Sequence, residues 1–449
     1  MPLPPEDGSP LETLLMVPIA SYPSEPLAEP LAALFARRPE SDPEVEDAVR
    51  DILRQVRKEG DAALCALTQR FDDVEVCPEQ LRVPASVLAE AETALDPNLR
   101  ASMEAAVANI RAFHERQKLN SWFVEDGDGV MLGKKITPIE RVGLCVPAGE
   151  VPLFSSLLMT AVPAQVAGVD QLCAVTPPVA AGHPAPVIAA AARLLGIDEV
   201  YAVGGAQAVA ALAYGTESIP PVHKIVGPGS PYTVAAQRQV FGVVGIALLP
   251  GPSEIVVLAD AAADPRLVAA DLLSQAEHGW GVAAVCITDC AALARRVQEE
   301  LEAQRAALPR YSIIDSALEE YGAIVVVPSL EVGIELLNRL APEHAELQVA
   351  DPWRWVDSIR HCGALFLGAA SSEPVGDYFA GTNHVLPTQG AARYASSLGW
   401  ADFVKTTSII AYTPERLAHT AEHIARMAQA EGLEAHAQAI RIRQQGAAP

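Results

Sequence analysis

Aromatic residues make up only 5% of the 449 residues, and no run approaches the roughly 18 apolar residues that a membrane-spanning helix requires. The N-terminus, "MPLPPEDGSPLETLL", lacks the basic segment and continuous apolar core of a secretory signal. Cations are scarce: 32 Lys and Arg stand against 56 Asp and Glu, a net charge of −24, which argues against nucleic acid as the main partner. Any anionic ligand must rely on helix N-termini and backbone N–H groups rather than a basic face. The seven cysteines are scattered and odd in number, which indicates reduced, cytoplasmic usage without a disulfide framework. Cys286 and Cys290 have no second pair with which to form a zinc knot and read as core thiols. No G-x-G-x-x-G occurs, and His419 and His423 in "AHTAEHIARMA" fail the H-E-x-x-H pattern because Glu422 is misplaced.

Half of the residues are apolar, enough to fill the cores of more than one domain. Residues 1–43, rich in proline and acid, read as an extended arm. From Pro43, Val45, Val49, Ile52, Leu53 and Val56 recur at helical intervals up to Gly60, and Asp96 followed by Pro97 opens a second helix. From about residue 141, short β-branched runs alternate with alanine-rich helices, and a second such series follows from residue 254. The alternation predicts an α/β protein with two Rossmann-like, incomplete parallel-sheet domains. Residues 44–140 are grouped with 254–396 as a metal and substrate domain, into which 141–253 is inserted as a nucleotide-binding domain. The arm, 1–43, and a helical tail, 397–449, flank them.

Four segments could carry chemistry. "EVYAVGGAQAVAALAYG" runs strand, Gly204-Gly205, helix, and that helix N-terminus offers N–H groups to an anion; a tight packing turn is the competing reading. "LLSQAEHG" closes a helix expected over 264–278 and sets Gln275 and His278 three apart on one face, where the helix end favours a cation. An ordinary solvated helix end fits the same pattern, and Glu277 points elsewhere. "APEHAELQV" puts Glu343 beside His344, a pair able to act as acid and base or to form a polar turn. "GDYFAGTNHVLPT" crowds Asp377, Tyr378, Thr382, Asn383 and His384 onto one loop, the kind of place where binding residues concentrate.

Together with "GPSEIVVLAD" and "EGLEAHAQAIRIR", these segments resemble the histidinol dehydrogenase family over nearly the whole chain from about residue 43. The resemblance implies NAD-dependent, zinc-containing oxidation of L-histidinol through L-histidinal to L-histidine, the last steps of histidine biosynthesis. It implies Gln275, His278, Asp377 and His436 as the Zn2+ ligands, a mixed nitrogen and oxygen set. His344 would be the proton acceptor, and Glu343 would activate water for the second oxidation. Ser253, Tyr378, His384 and Glu431 would hold substrate alongside His344 and the metal ligands, while Cys145, Gln207 and Ser230 would meet NAD. The metal would serve as a template that orients the imidazole and amino groups of histidinol. An intertwined homodimer is also implied, with Glu431 and His436 completing the neighbouring subunit's site.

The departures from the family pattern gather around the cofactor. In "CVPAG" Cys145 stands for a tyrosine and Ala148 for a glycine, Ser230 in "GPGS" stands for an asparagine, and Ala247 and Pro250 depart in "ALLPGPSE". Two other readings stay open: a paralogue oxidising another small polar alcohol, and a metal-binding relative, hydrolytic or non-catalytic, without the cofactor. A cytoplasmic protein with neither a membrane nor a nucleic-acid partner is expected under each.

Overall fold

The computed structural model describes residues 16–24, 28–37, 42–149, 151–179 and 182–445. It begins with β1 (Ile19–Ser21) and α1 (Glu29–Ala36), then five helices: α2 (Pro43–Glu59), α3 (Asp61–Asp72), α4 (Pro78–Leu81), α5 (Ala85–Ala94) and α6 (Pro97–Glu115). A hairpin, β2 (Trp122–Glu125) and β3 (Val130–Pro138), leads into the first α/β series. That series is β4 (Arg141–Cys145), α7 (Phe154–Ala167), β5 (Gln171–Thr176), α8 (Pro186–Leu194), β6 (Glu199–Ala202), α9 (Gly205–Tyr214), β7 (Lys224–Val226), α10 (Pro231–Val240) and β8 (Gly245–Ile246). The second is β9 (Glu254–Ala259), α11 (Pro265–Ala276), β10 (Ala283–Thr288), α12 (Ala291–Arg305), α13 (Tyr311–Tyr321), β11 (Gly322–Val326), α14 (Leu330–Leu340), β12 (His344–Gln348), β13 (Ala364–Leu367) and α15 (Glu373–Tyr378). The tail holds β14 (Val404–Tyr412), α16 (Pro414–Ala430) and α17 (Glu434–Gln445).

Both α/β series wind the same way. The first sheet has the order β6-β5-β4-β7-β8 and the second β11-β10-β9-β12-β13, all parallel, with β1 added beyond β11. Their central strands are buried on both faces, as helix-covered parallel sheets require, and so read as unbroken apolar runs. The α/β fold expected from the sequence is therefore present, with strand order reversing between β4 and β7 and again between β9 and β12.

The packing of the N-terminal third differs from the grouping drawn from sequence. Val49, Leu64 and Leu67 share a core with Tyr201 and Val209, and Leu88 and Ile110 share one with Val142 and Leu157. Helices α2–α6 therefore cover the first sheet rather than the second, because their apolar stripes are what closes its faces. The arm is likewise no free extension where it is described: β1 pairs with β11, and Leu31 and Leu34 of α1 are buried against the second sheet. Residues 1–15, 25–27 and 38–41 of that arm lie outside the described residues.

An antiparallel three-stranded sheet, β14-β3-β2, was not foreseen. β14 pairs with β3 from Val404↔Pro138 to Tyr412↔Val130, and beyond it α16 and α17 pack on each other around Ala425, Ala428 and Ala437. Among the described residues no helix is long and apolar enough to cross a membrane.

Candidate active site

The chemistry-bearing segments converge on the amino edge of the second sheet. Glu254 opens β9 and His344 opens β12, neighbouring strands at the point where the order reverses, with His344 in register with Ile255. α11 starts with Asp264 as its cap, whose carboxylate accepts from Arg266 N at 3.0 Å, and runs back from the far end of β9. Gln275 and His278 therefore arrive at this same edge. α15 and the loop after it close the site with Glu373, Asp377, Tyr378 and His384. Ligands of open α/β sheets usually bind at the carboxyl ends of the strands, so this site is placed against the rule.

His344 is 3% exposed, and its Nδ1 lies 3.2 Å from the carbonyl oxygen of Glu254. Nδ1 donates that bond, so Nε2 keeps its lone pair; Nε2 is buried without a partner, 3.8 Å from Asp377 Oδ1. Burial pushes the imidazole down to about 4, which leaves it unprotonated, with a lone pair free to accept a proton, at neutral pH. Glu343, 5% exposed, accepts from Glu254 N at 3.0 Å and stands 3.6 Å from His344 Nδ1. Burial, aided by the Glu254 carboxylate, holds its carboxyl well above the usual range. Arg37 braces this corner by pairing with Glu254 at 3.0 Å and donating to Gly281 O at 2.6 Å.

Beside this pair, His278, Glu373 and Asp377 each offer a ligand atom, all within 4.8 Å of one another. His278 Nε2 is 3.0 Å from Glu373 Oε1 and 3.9 Å from Asp377 Oδ2. Burial would lower the His278 imidazole, but the Glu373 hydrogen bond and the Glu373, Asp377 and Glu343 charges outweigh it and push it up to about 9. Burial and the Glu373 charge raise the Asp377 carboxyl, whereas contact with His278 outweighs burial and lowers Glu373. The helix expected to reach residue 278 ends at Ala276, so His278 lies just past it; Gln275, in its last turn, is fully buried with neither its Oε1 nor its Nε2 hydrogen-bonded. Such an orphaned amide is costly unless something occupies its oxygen. A Gln oxygen, an imidazole and carboxylates form a donor set that suits a cation of the Zn2+ class.

A second feature lies at the carboxyl edge of the first sheet, where ligands are ordinarily expected. A cavity of about 380 Å3 is lined by Cys145, Ala148, Gly204, Gly205, Gln207 and Ser230 among others. The turn at Gly204-Gly205 requires glycine: Gly205 has φ +67°, and a Cβ on Gly204 would meet Pro177 at 2.3 Å. Ser230 caps α10, its Oγ accepting from Thr233 N at 3.4 Å. Burial and desolvation push the Cys145 thiol up to about 12, so it offers the cavity a small apolar wall rather than a nucleophile.

The family model described as Histidinol dehydrogenase matches residues 35–444. Sequence identity is 50% over 389 residues with the histidinol dehydrogenase of Geobacillus kaustophilus, covering 86% of this chain and 91% of that one. The chain belongs to the histidinol dehydrogenase family. It is 48% identical to the Bacillus subtilis histidinol dehydrogenase over 389 residues, 87% of this chain and 91% of that one. The crystal structure of histidinol dehydrogenase from Elizabethkingia anophelis superposes with a TM-score of 0.89 at 35% identity, covering 97% of this chain and 99% of that one.

The residues singled out from the histidinol dehydrogenase resemblance do not all meet. His278, Glu343, His344, Asp377 and His384 gather at one place, Ser253 directly precedes Glu254 there, and Tyr378 ends α15, 53% exposed. Glu431 and His436 are exposed on the tail and do not join the His278 group within this chain. Asn383 has a packing role: its Nδ2 donates to Met159 O at 2.6 Å and its Oδ1 accepts from Val385 N at 2.9 Å. Sequence reasoning passed over Glu373, Glu254 and Ser156, whose Oγ lies 3.5 Å from His384 Nε2. Only Glu373 left a signal, its four-residue spacing from Asp377 on what proves to be one helix.

Proposed function

We propose that this chain oxidises L-histidinol through L-histidinal to L-histidine with NAD, in histidine biosynthesis, at the amino edge of the second sheet. The observation that carries the reading is His344: a buried, neutral imidazole with a free Nε2, 3.8 Å from a carboxylate of the cation-binding cluster and adjacent to Glu343. Gln275, His278 and Asp377 would hold Zn2+, with His436 of a second copy as the fourth ligand, and the orphaned Gln275 amide supports that assignment. Bound there, Zn2+ would orient the imidazole and amine of histidinol, and NAD in the cavity of the first sheet would accept hydride in each oxidation.

The remaining steps belong to side chains. His344 Nε2 takes the hydroxyl proton of the alcohol as hydride leaves the carbon, and its tautomer is fixed by the Glu254 carbonyl. Glu343, whose raised affinity for protons makes its carboxylate a strong base, takes a proton from the water that adds to the aldehyde. His344 returns the first proton to the carbonyl oxygen as the water adds, and its freed Nε2 then deprotonates the hydrate as the second hydride leaves to a second NAD. Ser253, Tyr378 and His384 line the substrate space, and Cys145, Gln207 and Ser230 face the cofactor.

Exposed apolar surface on the antiparallel sheet supports a homodimer, and with it this reading, from a separate direction. Trp122, Phe123, Val124, Leu132 and Ile410 of the antiparallel sheet are about half or more exposed, and α16 and α17 pack chiefly on each other. Exchange of the tails between two copies would cover those side chains and bring Glu431 and His436 to the neighbouring site. The test is NADH formation from L-histidinol by the purified protein: two NADH per histidinol consumed supports the assignment. Zinc binding without turnover would instead mark a relative that has lost the cofactor, and saturation only at very high histidinol would mark a paralogue with another alcohol as substrate.

A further inference from the structure

In dinucleotide-binding folds the carboxylate that reads a ribose usually sits at the end of the second strand, beyond the glycine turn. Here the corresponding strand is β5, and it runs out into Thr176, Pro177 and Pro178, with no acid. Among the described residues the cavity nevertheless has one charged lining side chain, Asp72, and neither Lys nor Arg lines it. Asp72 is the last residue of α3, a helix outside the α/β series that reaches the cavity from the N-terminal layer.

The placement of Asp72 is firm. At the other end of α3, Asp61 N donates to Glu217 Oε2 at 2.8 Å, and Ser218 Oγ donates to Asp61 Oδ2 at 2.5 Å. Between the ends, Leu64 and Leu67 are buried in the core with Val209. Asp72 Oδ2 is buried and has no hydrogen-bond partner. Burial pushes the carboxyl up to about 6. An unpartnered, desolvated carboxylate is destabilising by itself, and hydroxyl donors of a ligand would satisfy it. Phe71 and Tyr232, 49% and 44% exposed, line the same cavity and present ring faces suited to a purine base.

We propose that Asp72 is the ribose-reading residue of this cavity, accepting hydroxyl donors from the adenosine ribose of NAD and excluding a nucleotide phosphorylated at the 2′ position. The inference rests on the dinucleotide reading of the cavity. A 2′-phosphate would bring its charge against the Asp72 carboxylate with no cation among the lining residues to offset it. Arg70 stacks on the Phe71 ring at 5.0 Å and does not line the cavity.

The experiment is direct calorimetric binding of NAD, NADP and 2′-deoxy-NAD to the intact protein and to its Asp72→Asn and Asp72→Ser variants. The native protein is expected to prefer NAD over both other nucleotides by about 10-fold or more. Asp72→Asn should weaken NAD by about 10- to 100-fold, the range for losing a hydrogen bond to a charged group, and narrow the gap to NADP. It should weaken 2′-deoxy-NAD little further, since deleting one contact from either side is not additive. Losses that add, or an unchanged preference for NAD over NADP in both variants, overturn the assignment; continued turnover of histidinol with NAD would leave the family reading standing. Failure of the native protein to bind either nucleotide overturns both. Asp72→Asn should melt no lower than the native protein, and a lower melting temperature with unchanged nucleotide preference would assign the carboxylate to packing instead.

Discussion

Gln275 and His344 share one signature in different chemistry, a buried polar atom that the folded chain leaves without a partner. For Gln275 the two states of the protein should respond in opposite directions. Gln275→Leu is expected to stabilise the chelator-treated protein by about 1–3 kcal/mol, because two orphaned polar atoms disappear, and to weaken zinc binding sharply. Thermal unfolding with and without Zn2+ reads both signs. His344→Gln should lower kcat with histidinol by about 10²- to 10⁴-fold, the usual range for a lost general base, with NAD binding retained. His344 and His384 are both pushed down to about 4 by burial. The unfolded chain then binds protons at these two positions below pH 6.5 that the folded chain refuses, while raised carboxyls such as Asp377 act in the opposite sense. The effect is therefore read as a difference: the chelator-treated protein should lose stability relative to its His384→Gln variant as pH drops from 6.5 towards 4. Each imidazole contributes a slope of at most about 1.4 kcal/mol per pH unit, measurable by urea unfolding across that window.

Helices α11 and α15 hold the cation cluster between them. Glu373 N donates to Glu346 Oε1 at 2.7 Å, and Ser274 Oγ donates to Glu373 Oε2 at 2.5 Å, so the start of α15 is tied to both β12 and α11. Arg37, just beyond α1, plays the matching part for β9. The Arg37 and Glu254 side chains are only 6% and 12% exposed, so Arg37→Ala should cost about 3 kcal/mol or more by leaving Glu254 buried and unpaired. Adding Glu254→Gln should recover much of that loss, and denaturant unfolding of the two variants checks it. Legibility in the sequence followed the same physics. α11 was readable from Asp264, Pro265 and Gly279, and β9 and β10 from apolar runs that only doubly covered strands need. β2 was not, because all four of its residues are exposed and carry no burial period. Glu373 was hidden by Pro374 and Gly376, which make a short helix look like loop.

At the scale of the whole molecule, residues proposed to serve one reaction stand on separate bodies of the fold. His344 lies in the second sheet, the nucleotide cavity in the first, and His436 on a tail whose main contacts are its own. Mixing inactive His344→Gln and His436→Ala variants and letting subunits exchange should therefore restore part of the activity, since one of the two sites in a mixed dimer escapes both lesions. No recovery after exchange would place both residues in one subunit's site. The amphipathic faces of α2–α6 announced helices without saying which sheet they cover, and the strand pattern could not say which edge the site would use; both depend on pairings distant in sequence.

One such pairing also sets a clock. β1 is among the first described segments to leave the ribosome, yet Ile19 must wait for Ile324 before it has a strand to join. At about 5–20 residues per second, that wait lasts on the order of 15 to 60 seconds. Residues 43–253 can assemble one of their two cores in the meantime, while the other still awaits Val385, Leu398, Trp400 and Phe403. During synthesis the N-terminal strand is thus a bare edge, and the core over the first sheet, begun earliest, is the last to be sealed.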